Sequence, residues 1–194
     1  MSLRAVGLRP AAASALALLA VGGCSGSGTP VSKDAAATAL RQPSSLYISS
    51  SALAEGQAMP AEYTCDGAGR SPPLTWSDAP AQTQSFALVV EDPDAPEGTF
   101  GHWGVYDIPA SVHEIAAGAG NSDGLKQTSN DFDRPGYGSP CPPKGDKPHH
   151  YRFRLMALDV AQLSSAPPEV KDLNAAIEDH VIGTAELTVT YQRR

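Results

Sequence analysis

The chain has 194 residues, 41% of them hydrophobic and 18% charged, with a formal net charge of −7 at neutral pH. A negative balance without clustered Lys and Arg excludes the basic footprint that nucleic acid demands. The same balance disfavours peripheral docking on an anionic membrane surface.

In chain order, Arg4 and Arg9 precede an apolar stretch, Ala11 to Val21, which is too short to span a bilayer comfortably and predicts a signal peptide over residues 1–23. It runs into Leu19-Ala20-Val21-Gly22-Gly23-Cys24, with small residues just before a cysteine and an aliphatic residue three positions upstream. That segment resembles a bacterial lipobox. The resemblance implies cleavage before Cys24, a diacylglycerol thioether on its sulfur and an acylated new N-terminus such as palmitate supplies. The protein would then be held by a lipid anchor on the extracytoplasmic face of the cell membrane. An ordinary secretory signal with an incidental cysteine is the alternative. Residues 24–45 are rich in Ser, Gly, Ala and Thr. They cannot bury enough surface to offset their chain entropy, which predicts a tether with at most a helical turn at Ala35 to Leu40. Residues 46–194 suffice for one domain with a sizeable core and are too few for two.

From Leu46 onward, short apolar runs are broken by Pro, Gly, Asp and Asn, the pattern of many short strands. It predicts a mainly β fold, an antiparallel β-sandwich with one or two short helices. Leu74 to Trp76 and Gly104 to Ile108 are short strand candidates. Ser85 to Glu91 is almost continuously apolar and reads as a central strand. Tyr151 to Leu158 sets Tyr151, Phe153 and Leu155 against Arg152 and Arg154, a half-exposed strand. Thr184 to Tyr191 alternates polar and apolar residues, as a strand with one buried face must. After Pro167-Pro168, the spacing of Val170, Leu173, Ile177 and Val181 predicts a helix, with Gly183 as its stop. The interval from Gly118 to Lys147 lacks period and reads as a long functional loop. Gly136 and Gly138 within it read as turn residues.

Two clusters carry chemistry. The first is Asp92-Pro93-Asp94-Ala95-Pro96 with His102-Trp103 downstream; the second is Cys141-Pro142-Pro143-Lys144-Gly145-Asp146-Lys147-Pro148-His149-His150-Tyr151. Together with Ser71-Pro72-Pro73-Leu74-Thr75-Trp76, they resemble the ordered motifs of the phosphatidylethanolamine-binding protein family over essentially Leu46 to Tyr191. The resemblance implies a small anion pocket lined by Asp92, Asp94, His102, Pro142, Pro143, His149 and Tyr151. Its ligand would be a phosphate or the phospho-headgroup of a lipid.

The residues support that reading independently. Prolines fix φ and remove donors, giving rigid loops that can hold His and Asp at one sheet end. An Asp that accepts from a histidine ring, a role assigned to Asp92, would raise the ring's pKa and leave its other nitrogen and the Tyr151 hydroxyl as donors. Histidines that merely satisfy loop carbonyls are the alternative. A metal site is a weaker one, because no close His or Cys pairing of the usual ligand spacing occurs. Ser71 and Ser139 lack a nucleophile-elbow setting, so no catalytic residue, metal or cofactor is expected.

If lipidation takes Cys24, two cysteines remain in an oxidising compartment, and Cys65 is expected to pair with Cys141. The bridge would staple two pocket-wall segments and contribute about 4 kcal/mol. Two buried thiols are the alternative. The family resemblance has departures: His150 replaces a frequent Arg, Cys141 replaces the Gly of eukaryotic members, and the chain ends soon after Tyr191 without their C-terminal helix, implying freer access. The expected function is a membrane-anchored, non-catalytic binding module. A module that inhibits or regulates a protease or kinase-like partner, not identifiable from sequence, is the alternative.

Overall fold

A computed structural model of the chain describes residues 45–122 and 124–194. Cys24, the signal segment and the tether up to residue 44 therefore lie outside the described residues.

The fold is mainly β, as expected, with antiparallel sheets. Strands β1 (Tyr47–Ser49), β2 (Leu74–Ser77) and β5 (Glu114–Ile115) form a three-stranded sheet in the order β1-β2-β5. Strands β3 (Ser85–Asp92), β4 (Phe100–Pro109), β8 (His149–Leu158) and β9 (Val181–Tyr191) form the larger sheet, in the order β4-β3-β8-β9. A small hairpin, β6 (Ser129–Asn130) with β7 (Arg134–Pro135), sits within the long loop. Between the sheets Ile48, Leu74, Trp76 and Ile115 meet Phe86, Leu88, Val90, Phe153, Leu155 and Leu187 in one core. Trp76 packs edge-on against Phe86, with ring centroids 5.6 Å apart.

The larger sheet is covered on its other face by α1 (Val170–Ile177). Its buried residues Val170, Leu173 and Ile177 pack on Ala87, Val89, Met156 and Leu158. That explains the continuous apolar run of β3, which is buried at all eight positions. It also corrects the reading of β8, whose C-terminal half, Leu155 to Leu158, is buried on both faces.

The helix is shorter than its apolar spacing predicted. It stops at Ile177, Glu178–His180 form a 3₁₀ turn, and Val181 starts β9 opposite Leu158. Gly183 is therefore a strand residue facing Ala157, where an added Cβ would lie 2.9 Å from Pro80. The open edge of β9 is covered by residues 55–59. Gly56 and Met59 donate backbone N–H groups to Thr188 and Thr190 at 2.8 and 2.7 Å, blunting what would be an edge for further pairing.

Candidate functional site

The pocket opens at one end of the larger sheet, where β3 ends at Asp92 and β4 and β8 begin at Phe100 and His149. It has a volume of about 150 Å³, and its lining includes Asp92, His102, His149, Tyr151, Phe100 and Phe132. Ala95, Pro96, Cys141, Pro142 and Pro143 complete the wall.

Strand alternation aims three of the polar side chains. Asp92 continues the inward set Phe86, Leu88, Val90, while His149 and Tyr151 share the inward face of β8 with Phe153 and Leu155. His102 arrives by a different device. Val90 pairs with Trp103 and Glu91 with Gly101, so His102 is the extra residue of a β-bulge. Such a bulge re-aims a side chain beside a site, and here it turns the ring toward Tyr151, 5.3 Å away edge-on. Gly101 just before it has no room for a side chain, since a Cβ would lie 2.7 Å from that of Val170. Helix α1 thus packs directly behind the bulge.

The hydrogen bonds divide the site into engaged and free atoms. His149 Nδ1 lies 2.7 Å from Asp92 Oδ2, both groups being buried, and Asp92 Oδ1 accepts from the Asp94 backbone N–H at 2.9 Å. His149 Nε2 stands 3.8 Å from Asp146 Oδ2 at the rim. His102 Nδ1 donates to the Gly138 carbonyl at 2.7 Å, whereas its Nε2 is buried with no partner. The Tyr151 hydroxyl is likewise buried and unpartnered. Burial holds the His102 pKa below the usual histidine value, although the Gly138 carbonyl and the charges of Asp92 and Asp131 oppose it. Burial first, then the Asp92 charge, pushes the Tyr151 hydroxyl well above the ordinary tyrosine range, so it stays protonated.

Six of the seven predicted ligand-binding residues meet at the pocket: Asp92, His102, Pro142, Pro143, His149 and Tyr151. Asp94 does not. It is turned outward, where its Oδ2 accepts from the His150 backbone at 2.8 Å and meets His150 Nδ1 at 2.7 Å. That contact lowers the Asp94 pKa and ties the β3–β4 loop to the start of β8. Phe100, Phe132 and Asp146 escaped the sequence reading; Phe132 comes from the unpatterned loop, and only the topology brings it near His102. Ser71 has a structural task, its Oγ accepting from the Gly120 N–H at 2.9 Å. Among the described residues no cluster of three His, Cys, Asp or Glu is placed to hold a metal ion.

The outer wall is fastened twice. Cys65 and Cys141 form a disulfide, Cα atoms 5.3 Å apart across 76 residues of sequence. Both cysteines are exposed, unlike a buried thiol pair. Past β9, the Arg193 guanidinium pairs with Asp66 at 3.0 Å, and the Arg193 carbonyl accepts from Gly145 at 3.1 Å. Gln192 Nε2 donates to the Asp146 carbonyl at 2.7 Å, so the chain after Tyr191 braces the loop that carries Pro142 and Pro143.

Fold and site together define a β-sandwich module with a small preformed pocket at one sheet end. The chain belongs to the phosphatidylethanolamine-binding protein family, whose model matches residues 49–192. A UPF0098 protein of Aquifex aeolicus (strain VF5) is 41% identical over 152 residues, covering 76% of this chain and 89% of that one. The crystal structure of Escherichia coli YbcL superposes with a TM-score of 0.72 at 36% identity, covering 77% of this chain and 99% of YbcL. That of CT736 from Chlamydia trachomatis, described as a homologue of the phosphatidylethanolamine-binding protein, gives 0.70 at 38%, covering 78% and 99%. Membership of this family supports a binding module in general rather than an enzyme.

Proposed function

We propose that this domain is a non-catalytic module that binds a phosphate-bearing small ligand, or the phospho-headgroup of a lipid, in the pocket around Asp92 and His149. The observation that supports it most is the pair of buried, unpartnered polar atoms, His102 Nε2 and Tyr151 Oη, in two residues that line the pocket. Each such atom costs about 1–3 kcal/mol. Both belong to residues of the pocket wall, where a ligand reached by a small side-chain adjustment would supply the missing hydrogen bonds. A cavity of about 150 Å³ is on the scale of a headgroup or free phosphate rather than of acyl chains. The domain would be tethered through residues 24–45 to acylated Cys24 on the outer face of the membrane. An unmodified mass at Cys24 in the mature protein would remove that part of the proposal.

The test is calorimetric titration of the purified full chain with phosphate and phosphoethanolamine, repeated on His149→Ala with folding checked by circular dichroism. Saturable binding by the parent, lost in the folded variant, is the expected result; no binding to the parent overturns the reading.

One observation favours a second role. Phe132 is 41% exposed at the pocket mouth, stacked edge-on against Phe100 at 4.7 Å, and gives the rim an apolar surface that a protein partner could cover. An inhibitory or regulatory module would need that surface, and Phe132→Ser would then abolish partner binding, with a smaller loss of phosphoethanolamine affinity because Phe132 also lines the pocket.

A further inference from the structure

Resting on the pocket reading above, we infer that Asp146 is a built-in competitor: in the ligand-free protein its carboxylate holds the anion position at His149 Nε2, and an anionic ligand enters by displacing it. His149 Nδ1 is committed to Asp92 Oδ2 at 2.7 Å, so Nε2 is the ring's one remaining polar atom. A charged ring presents an N–H there. Facing it is Asp146 Oδ2, 3.8 Å away. That spacing is too long for a hydrogen bond and short enough for an ion pair, so the contact is open to replacement by a closer acceptor.

The fold sets the carboxylate in this place, because the backbone around Asp146 is pinned from two directions. Its N–H donates to the Pro143 carbonyl at 3.3 Å, closing a turn in which Gly145 takes a φ of +88°. The Gly145 N–H donates to the Arg193 carbonyl at 3.1 Å, and the Asp146 carbonyl accepts from Gln192 Nε2 at 2.7 Å. The side chain therefore starts from a fixed point beside His149. Among the described residues no Lys or Arg pairs with it, and Arg193, whose carbonyl reaches the same loop, spends its guanidinium on Asp66 at 3.0 Å.

Two carboxylates thus flank His149, and burial decides which of them can leave. The Asp92 side chain is 5% exposed, and its second oxygen accepts from the Asp94 backbone N–H at 2.9 Å. The Asp146 side chain is 47% exposed, so its carboxylate can rotate into water without breaking a side-chain hydrogen bond. Asp92 is the permanent partner of the ring and Asp146 the replaceable one. Solvent and salt screen a charge this exposed, so its removal should change anion affinity by a small factor rather than by orders of magnitude.

Calorimetric titration of the full chain with phosphoethanolamine and with acetate, which offers the same carboxylate free in solution, tests this at one fixed pH and low ionic strength. Asp146→Asn keeps the size and backbone contacts of the residue and removes its charge. It should bind both probes about threefold tighter than the parent. Glu97→Gln is the charge-matched control, since Glu97 lines the neighbouring cleft beside Ala95 and Pro96 and makes no contact with His149. It should leave both affinities unchanged. An unchanged or weaker affinity in Asp146→Asn, with phosphoethanolamine still bound by the parent, would overturn the inference and leave the pocket reading standing. An equal gain in Glu97→Gln would do the same, because it would mark a general field in place of a contact. No phosphoethanolamine binding by parent or variant would overturn both. Nuclear magnetic resonance of the ligand-free proteins gives a local readout: Asp146→Asn should move the His149 ring signals, and unmoved signals would refute the contact.

Discussion

Glu91 and Asp92 are consecutive residues of β3, yet they face opposite sides of the larger sheet, and the two sides treat buried charge differently. On the helix side Glu91 Oε1 accepts from Asn174 Nδ2 at 2.7 Å, and its Oε2 lies 3.2 Å from Arg154 Nη2. Arg154 Nη2 in turn donates to Asn174 Oδ1 at 2.9 Å, and Arg152 adds a longer pairing with Glu91 at 3.9 Å. The carboxylate and amide there are spent on one another, and only the two arginine Nε atoms lack partners. On the pocket side Asp92 and His149 are similarly paired, but the Tyr151 hydroxyl and His102 Nε2, in two residues of the pocket wall, are buried without partners. A cluster of charge in a sheet is therefore no sign of a site by itself.

The sharpest way to break the comparison is to unfasten the pocket side alone. Replacing Cys65 and Cys141 together by Ala removes a constraint across 76 residues and should cost about 4 kcal/mol in denaturant unfolding. Because Cys141 and the two prolines after it form pocket wall, phosphoethanolamine affinity should fall as well, measured under conditions where the variant stays folded. Glu91→Gln tests the other side. It removes the partner of two arginines that are 37% and 29% exposed, so solvent screening limits the loss to about 1–2 kcal/mol. Ligand affinity should stay within about twofold. A tenfold loss would mean that the faces are coupled through β3 and β8.

The same contrast explains what the sequence could disclose. Period-two alternation displays Asp92, His149 and Tyr151 as inward residues at strand ends, and the family motifs bring the rest of the wall into view. Asp94 carries the same residue type two positions on, but it lies past the end of β3 in a loop, where alternation no longer dictates direction. The bulge at His102 is invisible without its partner strand, because an extra residue is defined only by the register of β3 against β4. Phe132 and Asp146 come from irregular segments whose placement depends on Gly138, the bridge and the chain after Tyr191. The helix end was misread because Val181 satisfies two periods at once. It follows Ile177 by four residues, and it also begins the alternating series Val181, Gly183, Ala185, Leu187, Val189. The pairing of Val181 with Leu158 decides for the strand.

Tyr151→Phe is the smallest change that separates the two meanings of a buried polar atom. The hydroxyl lies near the Asp92 carboxylate but makes no hydrogen bond of normal geometry, so its loss breaks no well-formed bond in the ligand-free protein and relieves an unsatisfied group. The ring keeps its place under Phe153 and its edge-on contact with His102 at 5.3 Å. Folding stability should therefore stay within about 1 kcal/mol of the parent, on the favourable side. Ligand binding should respond in the opposite direction, because one donor to a charged phosphoryl oxygen contributes about 1.5–3 kcal/mol, a loss of tenfold or more in affinity. Thermal unfolding and titration on the same preparation give both numbers. A variant destabilised by 2 kcal/mol or more with unchanged affinity, on the scale of a lost structural hydrogen bond, would show that the hydroxyl serves the fold.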